Sequence, residues 1–290
     1  MTKLYTPLRY PGGKLKIYKR VLRLIELNGL AGYTYVEPFA GGFGIGMRLL
    51  IDDEVPNVIL NDSDPHIFRF WDSVLNQSDE LCALINNTPV TIEERTRQKV
   101  IYRDKAATPL AHGFALLFLN RVNYSGIIKG GPIGGNDQAG NYKLDCRFPK
   151  ERVIAAIRAI AAKRDCVQLF NMDASNFMRQ VVLTDNEPKF LNIDPPYFGK
   201  GAALYRNYYR KGDHKEFAEL MKNEVRNQFP WIMTYDDAQE IKNLYAGMNM
   251  RTYNLCHSAQ GAHIGKEVVI SANIENFDWD GADVPEAMVE

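Results

Sequence analysis

Phe190-Leu191-Asn192-Ile193-Asp194-Pro195-Pro196-Tyr197 decides how the rest of the chain is read. A short apolar run ends in an acid, two prolines and an aromatic. That order predicts a rigid, polar-tipped corner at the carboxyl end of a β-strand. In open α/β sheets that edge is where ligands bind. Neither proline has an N–H, and Pro196 biases Pro195 towards extended backbone. The corner's carbonyls are therefore expected to stay free to accept from a ligand. Asp194 adds a second acceptor, and Tyr197 adds a flat face. Such a set suits a planar heterocycle with an exocyclic amino group. An aryl amine is a poor nucleophile because its lone pair is delocalised into the ring. Holding both amino hydrogens favours the pyramidal nitrogen that reaction there requires. The plainer alternative is an ordinary strand-to-loop turn.

Outward from the corner, the first half of the chain has a βαβ rhythm. Tyr33-Thr34-Tyr35-Val36 reads as a strand, Glu37-Pro38-Phe39-Ala40-Gly41-Gly42-Phe43-Gly44 as a glycine-rich turn, and 45–51 as a helix. This is the layout of a nucleotide-binding unit, although a glycine-rich turn also serves to make a tight corner. The next strand, Val58-Ile59-Leu60, ends in Asn61-Asp62-Ser63-Asp64. An acid about 20 residues past the glycine turn suits ribose hydroxyls. We assign Asp62 to that role and Asp64 to capping a helix that starts near Pro65. Upstream, Leu8-Arg9-Tyr10-Pro11-Gly12-Gly13-Lys14 precedes a helical pattern over 15–27. It could present an open helix end to an anionic group, or be a flexible turn.

From about Asp79 to Lys150 the rhythm stops. Helical patterns cover 92–105 and 109–120, followed by Arg121-Val122-Asn123-Tyr124-Ser125-Gly126 and a glycine-rich loop over 129–140. Between Thr91 and Arg152 there are 11 bases against 6 acids, in a chain whose formal net charge is 0. The basic surface is thus local, as expected of a duplex-DNA reader or of a solvated helical lid. The rhythm resumes with a helix over 151–162 and the strand Cys166-Val167-Gln168-Leu169-Phe170. Asn171-Met172-Asp173 follows. Asp173 could accept from a bound adenine or cap the helix at Ala174. Past the corner, 198–212 reads as a closing loop or a surface connection. Asp213 is expected to cap a helix to about Asn227. Then come a strand over 231–235, a helix over 238–245, and strands over 251–255 and 267–272 joined as a hairpin by the 261–265 loop.

A hydrophobic share of 46% and a charged share of 24% are those of an ordinary globular protein. Cys82, Cys146, Cys166 and Cys256 are scattered and read as free thiols of a reducing compartment. His257 and His263 lack partners at metal-ligand spacing, so no metal is expected. The chain shows neither an apolar signal core nor about 18 apolar residues in a row, so we expect a cytoplasmic protein with no membrane partner.

Arg9-Tyr10-Pro11-Gly12-Gly13-Lys14, Val36-Glu37-Pro38-Phe39-Ala40-Gly41-Gly42, Asn61-Asp62-Ser63-Asp64, Asn120-Arg121-Val122-Asn123-Tyr124-Ser125-Gly126 and Asp194-Pro195-Pro196-Tyr197 occur in one order. In that order the chain resembles the Dam family of DNA adenine methyltransferases, over nearly its whole length. The resemblance implies a Rossmann-like methyltransferase sheet, mostly parallel with a C-terminal antiparallel hairpin. It also implies a catalytic domain over 1–78 and 151–290 and a mainly helical target-recognition insertion over 79–150. S-adenosylmethionine would be the cofactor, bound by Tyr10, Lys14, Glu37, Phe39, Gly41, Asp62, Asp173 and Asp194. Asp194, Pro195, Pro196 and Tyr197 would hold an adenine flipped out of double-stranded DNA, since the amino group is paired and stacked within the duplex. DNA contacts would come from Arg9, Asn120, Arg121, Asn123, Tyr124 and Lys129, in a protein expected to be a monomer. Two departures stand out. Tyr10-Pro11 replaces the Trp-Ala of better-known members, and 127–142 does not closely match the insertions of members that read GATC.

Overall fold

The computed structural model describes residues 3–9, 14–199, 209–257 and 263–279. Within them, seven strands form one sheet in the order β3-β2-β1-β4-β5-β7-β6. They are β1 (Thr34–Glu37), β2 (Val58–Asn61), β3 (Val167–Phe170), β4 (Lys189–Ile193), β5 (Trp231–Asp236), β6 (Asn249–His257) and β7 (His263–Ala272). β1 to β5 are parallel, and β7 runs antiparallel between β5 and β6. The mostly parallel, Rossmann-like sheet with a C-terminal antiparallel hairpin is therefore as expected. Strand order reverses between β1 and β4, which opens a crevice at their carboxyl ends.

Side chains alternate between two cores, as period-2 strands require. Tyr35, Val58, Leu60 and Phe190 face one cluster, while Val36, Ile59, Leu191 and Ile193 face the other. Covered on both faces, β2 and β4 are buried at every position, which is why they read as mostly apolar rather than alternating runs. The first core is closed by α1 (Tyr18–Leu27), α2 (Gly44–Ile51), α3 (Pro65–Asn76) and α7 (Lys150–Ala161), the second by α8 (Ala174–Gln180), α9 (Lys211–Leu220) and α10 (Gln239–Leu244).

The middle of the chain adds α4 (Ser78–Asn87), α5 (Ile92–Arg103) and α6 (Pro109–Val122). Thr91 and Thr108 cap α5 and α6 by accepting from Glu94 N and Ala111 N. Leu81, Ile85, Phe114, Leu117, Phe118 and Val122 belong to the same core as Tyr35 and Trp71, so these helices are fused to the sheet's first face. Gly113 allows this: a Cβ there would lie 2.8–3.0 Å from Ser73 Oγ, the Arg69 carbonyl and Phe70 Cα. The helix after the corner differs from expectation. Arg210, not Asp213, is the N-cap of α9, and Asp213 sits at N3, where its carboxylate accepts from Arg210 N at 2.7 Å. α9 then continues as a π-helical turn, Met221–Val225.

Candidate active site

Each of the five parallel strands delivers an acid to the carboxyl edge. Across the sheet the order is Asp173, Asp62, Glu37, Asp194, Asp236, following β3, β2, β1, β4 and β5. Glu37 and Asp194 flank the crevice where the strand order reverses.

The glycine-rich turn after β1 is held from several sides. Gly41 N donates to Asp62 Oδ2 at 2.9 Å, and Trp71 Nε1 donates to the Gly41 carbonyl at 3.0 Å. Asn61 Nδ2 donates to the Pro38 carbonyl at 3.0 Å, and Thr6 Oγ1 to that of Gly42 at 2.6 Å. Gly41 has φ 47° and Phe43, the residue before α2, φ 43°. Phe43 is a bulky residue in left-handed backbone, a conformation that costs energy and marks a constrained turn. Asp62 Oδ1 accepts from Asp64 N at 2.8 Å, so each Asp62 oxygen anchors one backbone amide. Burial pushes its carboxyl up to about 6. Asp64 caps α3 through His66 N, as expected.

Glu37 is buried with no basic partner among the described residues. The Tyr35 hydroxyl donates to its Oε1 at 2.6 Å, and Asn192 Nδ2 donates to Tyr35 Oη at 2.7 Å and to Glu37 Oε1 at 3.3 Å. Burial, only partly offset by these bonds, pushes the carboxyl up to about 8.

The corner itself closes over a buried ion network. Lys14 Nζ lies 3.3 Å from Asp194 Oδ1 and 2.9 Å from Glu267 Oε2, and donates to Tyr197 Oη at 2.5 Å. The Tyr197 hydroxyl donates to Glu267 Oε1 at 2.5 Å. Thr234 Oγ1, on β5, donates to Asp194 Oδ1 at 2.9 Å. Both partners of Asp194 thus fall on Oδ1, and its side chain is 26% exposed. No backbone amide among the described residues donates to the Pro195 carbonyl. Burial pushes Asp194 up to about 6, against the pull of Lys14. Burial alone would lower Lys14, but Asp194 and Glu267 outweigh it and raise it. The Lys14 ammonium is thus held by two protein carboxylates.

Beyond the corner, Asp236 accepts from Phe198 N at 2.9 Å and Gly199 N at 2.8 Å. Phe39 packs edge-on against Tyr209 and Phe217, so it tethers the far end of the same connection. Residues 200–208 of that connection and Tyr10 lie outside the described residues. Asp173 is exposed and caps α8 by accepting from Ser175 N and Asn176 N.

Three of the six residues expected at DNA are turned inward. Asn120 pairs with the backbone of Arg9 in both directions, at 2.7 and 2.6 Å. Arg121 Nε donates to the Pro7 carbonyl at 2.6 Å, and burial beside Arg9 and Arg152 pushes it down to about 9. Asn123 is fully buried, accepting from Arg95 Nε at 2.8 Å and donating to the Ile127 and Ile128 carbonyls. As described, these three build the loop. Tyr124, 57% exposed, and Lys129 project from it, and Arg9 is half-buried beneath. Ser125 has φ 53°, and a Cβ at Gly126 would come within 2.2 Å of the Arg9 carbonyl. Sequence reasoning missed Glu267, Thr234, Tyr35, Asn192 and Asp236. Only Glu267 left a trace, as a charge opening the apolar run Val268-Val269-Ile270.

Among the described residues no group of three His, Cys, Asp or Glu comes together as a metal site. No described helix is long and apolar enough to cross a membrane. Cys82, Cys146 and Cys166 are free thiols.

A family model described as D12 class N6 adenine-specific DNA methyltransferase matches residues 10–258. No curated protein matches the chain. Solved structures similar to it include an rRNA methyltransferase, aviRa, from Streptomyces viridochromogenes. That match has a TM-score of 0.41 and 12% identity, covering 89% of this chain and 83% of that one. A SAM-dependent methyltransferase from Agrobacterium tumefaciens matches with a TM-score of 0.37 and 9% identity, over 88% of this chain and 61% of that one.

Proposed function

Because the chain belongs to the D12 class N6 adenine-specific DNA methyltransferases, we propose that it methylates the exocyclic amino group of an adenine flipped out of duplex DNA at a specific site. S-adenosylmethionine is its cofactor. The observation that carries the proposal is the Asp194 carboxylate, whose Oδ1 is fixed by Lys14 and Thr234, beside a Pro195 carbonyl to which no described backbone amide donates.

The site suits the cofactor in its charge. Buried Glu37 and half-buried Asp62 are carboxyls with no basic partner among the described residues, at the ends of adjacent strands. A ligand with cationic centres and ribose hydroxyls supplies the missing partners. When bound, S-adenosylmethionine supplies an electrophilic methyl group on a positively charged sulfur. Glu37 would face a cationic centre, Asp62 would hold ribose hydroxyls while keeping Gly41 in place, and Phe39 would wall the pocket. Asp173, already capping α8, would contribute from the rim.

The chain's own groups then order the acceptor. Asp194 Oδ2 takes one amino hydrogen and the Pro195 carbonyl the other, while Tyr197 stacks on the ring. Prearranged acceptors of this kind stabilise the transition state because they need no reorientation during reaction. Asp194 acts by hydrogen bonding rather than as a strong base. The unit over 79–150 would read the target, with Tyr124 entering the gap left by the flipped base and Lys129 and Arg9 meeting the backbone.

The test is to incubate the protein with labelled S-adenosylmethionine and plasmid DNA and to sequence the product. Label on adenines within one short motif supports the proposal and supplies the target. Label on RNA or protein and none on DNA would overturn it.

A further inference from the structure

Glu267 stands in β7 opposite Asp236 on one side and Tyr253 on the other, and it is 1% exposed. Both of its oxygens are used. Oε1 accepts from the Tyr197 hydroxyl at 2.5 Å, and Oε2 accepts from Lys14 Nζ at 2.9 Å and from the Tyr253 hydroxyl at 2.5 Å. A charge this deep is costly unless its lone pairs are satisfied. Here the satisfying donors include two groups of the proposed reaction centre. The Lys14 ammonium lies between Glu267 and Asp194, within ion-pair distance of both. Tyr197 is hooked by its hydroxyl, while its ring also lies 5.0 Å from the same ammonium.

We propose that Glu267 is a positioning residue for methyl transfer, gripping the Tyr197 hydroxyl and the Lys14 ammonium together so that the stacking ring and the Asp194 carboxylate stand in register. The inference rests on reading the corner as the transfer site. Glu267 is too deep to touch a substrate, so it acts through those two side chains. A tilt of the ring or a drift of the ammonium would misplace the amino group, and misplacement by about 1 Å can cost on the order of a hundredfold in rate.

Glu267 also bears on the charge of Asp194, as does every group that faces it. These are Thr234 and Tyr235 from β5, Glu37 and Tyr35 from β1, Tyr253 from β6, Tyr197 beside it, and Lys14. Glu267 disfavours the Asp194 carboxylate, and Lys14 favours it. Replacing Glu267 with a neutral amide leaves the ammonium to Asp194 alone. The titration of Asp194 then moves to lower pH.

The test is Glu267→Gln in the full chain. Expected are a loss of kcat on DNA of roughly ten- to a hundredfold, an S-adenosylmethionine Kd within about twofold of wild type, and an acid limb displaced to lower pH. Wild-type kcat would overturn the proposal, as would a loss that only tracks the folded fraction with the acid limb unmoved. If the wild-type protein labels no DNA, the functional reading has failed on its own. The 13C resonance of the Asp194 carboxyl, titrated without substrate, then still decides on Glu267. A lower midpoint in Glu267→Gln supports the grip, and an unchanged one overturns it. Should Glu267→Gln not fold, Tyr197→Phe removes the hooked hydroxyl and keeps the ring. It should reproduce the kcat loss, and full activity there would refute the grip.

Discussion

The Tyr35 hydroxyl donates to Glu37 Oε1 at 2.6 Å, two residues along the same face of β1, and nothing basic completes the pair among the described residues. Burial holds the Glu37 proton up to a pH of about 8. The folded chain therefore binds this proton more tightly than the unfolded chain does. The stability so gained is complete below about 4.5 and is lost as pH climbs towards 8, with a ceiling of roughly 4–5 kcal/mol. Glu37→Gln, neutral at every pH, should melt several degrees above wild type at pH 8.5 and close to it at pH 5. Equal melting temperatures at pH 8.5 would show that Glu37 is ionised and paired there.

The same proton links Glu37 to the cofactor. If a cationic centre comes to rest at Glu37, binding at pH 7 must drive the proton off. Calorimetry of S-adenosylmethionine binding in two buffers of different ionisation enthalpy should report close to one proton released by wild type. Glu37→Gln should release much less. No proton release from wild type would remove Glu37 from the cofactor site.

On the proposed reading, Asp194 sets the acid limb of the reaction. Its carboxyl is pushed up to about 6, so below that pH it carries a proton and loses acceptor capacity. Single-turnover methyl transfer should rise with pH through about 6 and then level. Asp194→Ala should abolish transfer while S-adenosylmethionine still binds. Full activity in that variant would refute the role given to the corner.

Asp62, proposed to hold the ribose hydroxyls, also pins the turn. It holds Gly41 N and Asp64 N, one on each oxygen. Asp62→Ala strands two amides and should cost about 1–3 kcal/mol for each that stays buried. The S-adenosylmethionine Kd should rise by a factor of ten or more, because the turn loses its shape together with the ribose acceptor. A wild-type Kd would refute both assignments.

The parallel strands were legible because burial on both faces leaves mostly apolar runs such as Phe190-Leu191-Asn192-Ile193, and their carboxyl ends announced Glu37, Asp62 and Asp194. The cap at Asp64 was also written locally. What could not be read lies in contacts between distant segments. Glu267 meets Lys14 across 253 positions, and Arg121 meets Pro7 across 114. A polar cluster at the end of α6 therefore read as surface, although the amino-terminal segment crosses over it. Arg95 and Arg121 count towards the basic excess of this region, yet both are buried and donate to other groups of the protein, Arg95 to Asn123 and the Gly130 carbonyl and Arg121 to the Pro7 carbonyl.

That burial changes what substitutions here should do. Arg121→Ala removes the donor to the Pro7 carbonyl and opens a hole under Arg9, so it should lower the melting temperature by several degrees. Any loss of DNA affinity should accompany that general loosening. Tyr124→Ala removes an exposed ring from a loop braced by Asn123 and Arg95, so it should leave the melting temperature within about a degree. It should nevertheless weaken DNA binding, because stacking on a base contributes about 1–3 kcal/mol. Fluorescence anisotropy on target duplex, beside a thermal melt of each variant, separates the two. If Tyr124→Ala binds as wild type while Arg121→Ala melts as wild type and loses DNA, the Arg121 guanidinium reaches DNA after all and the tyrosine does not.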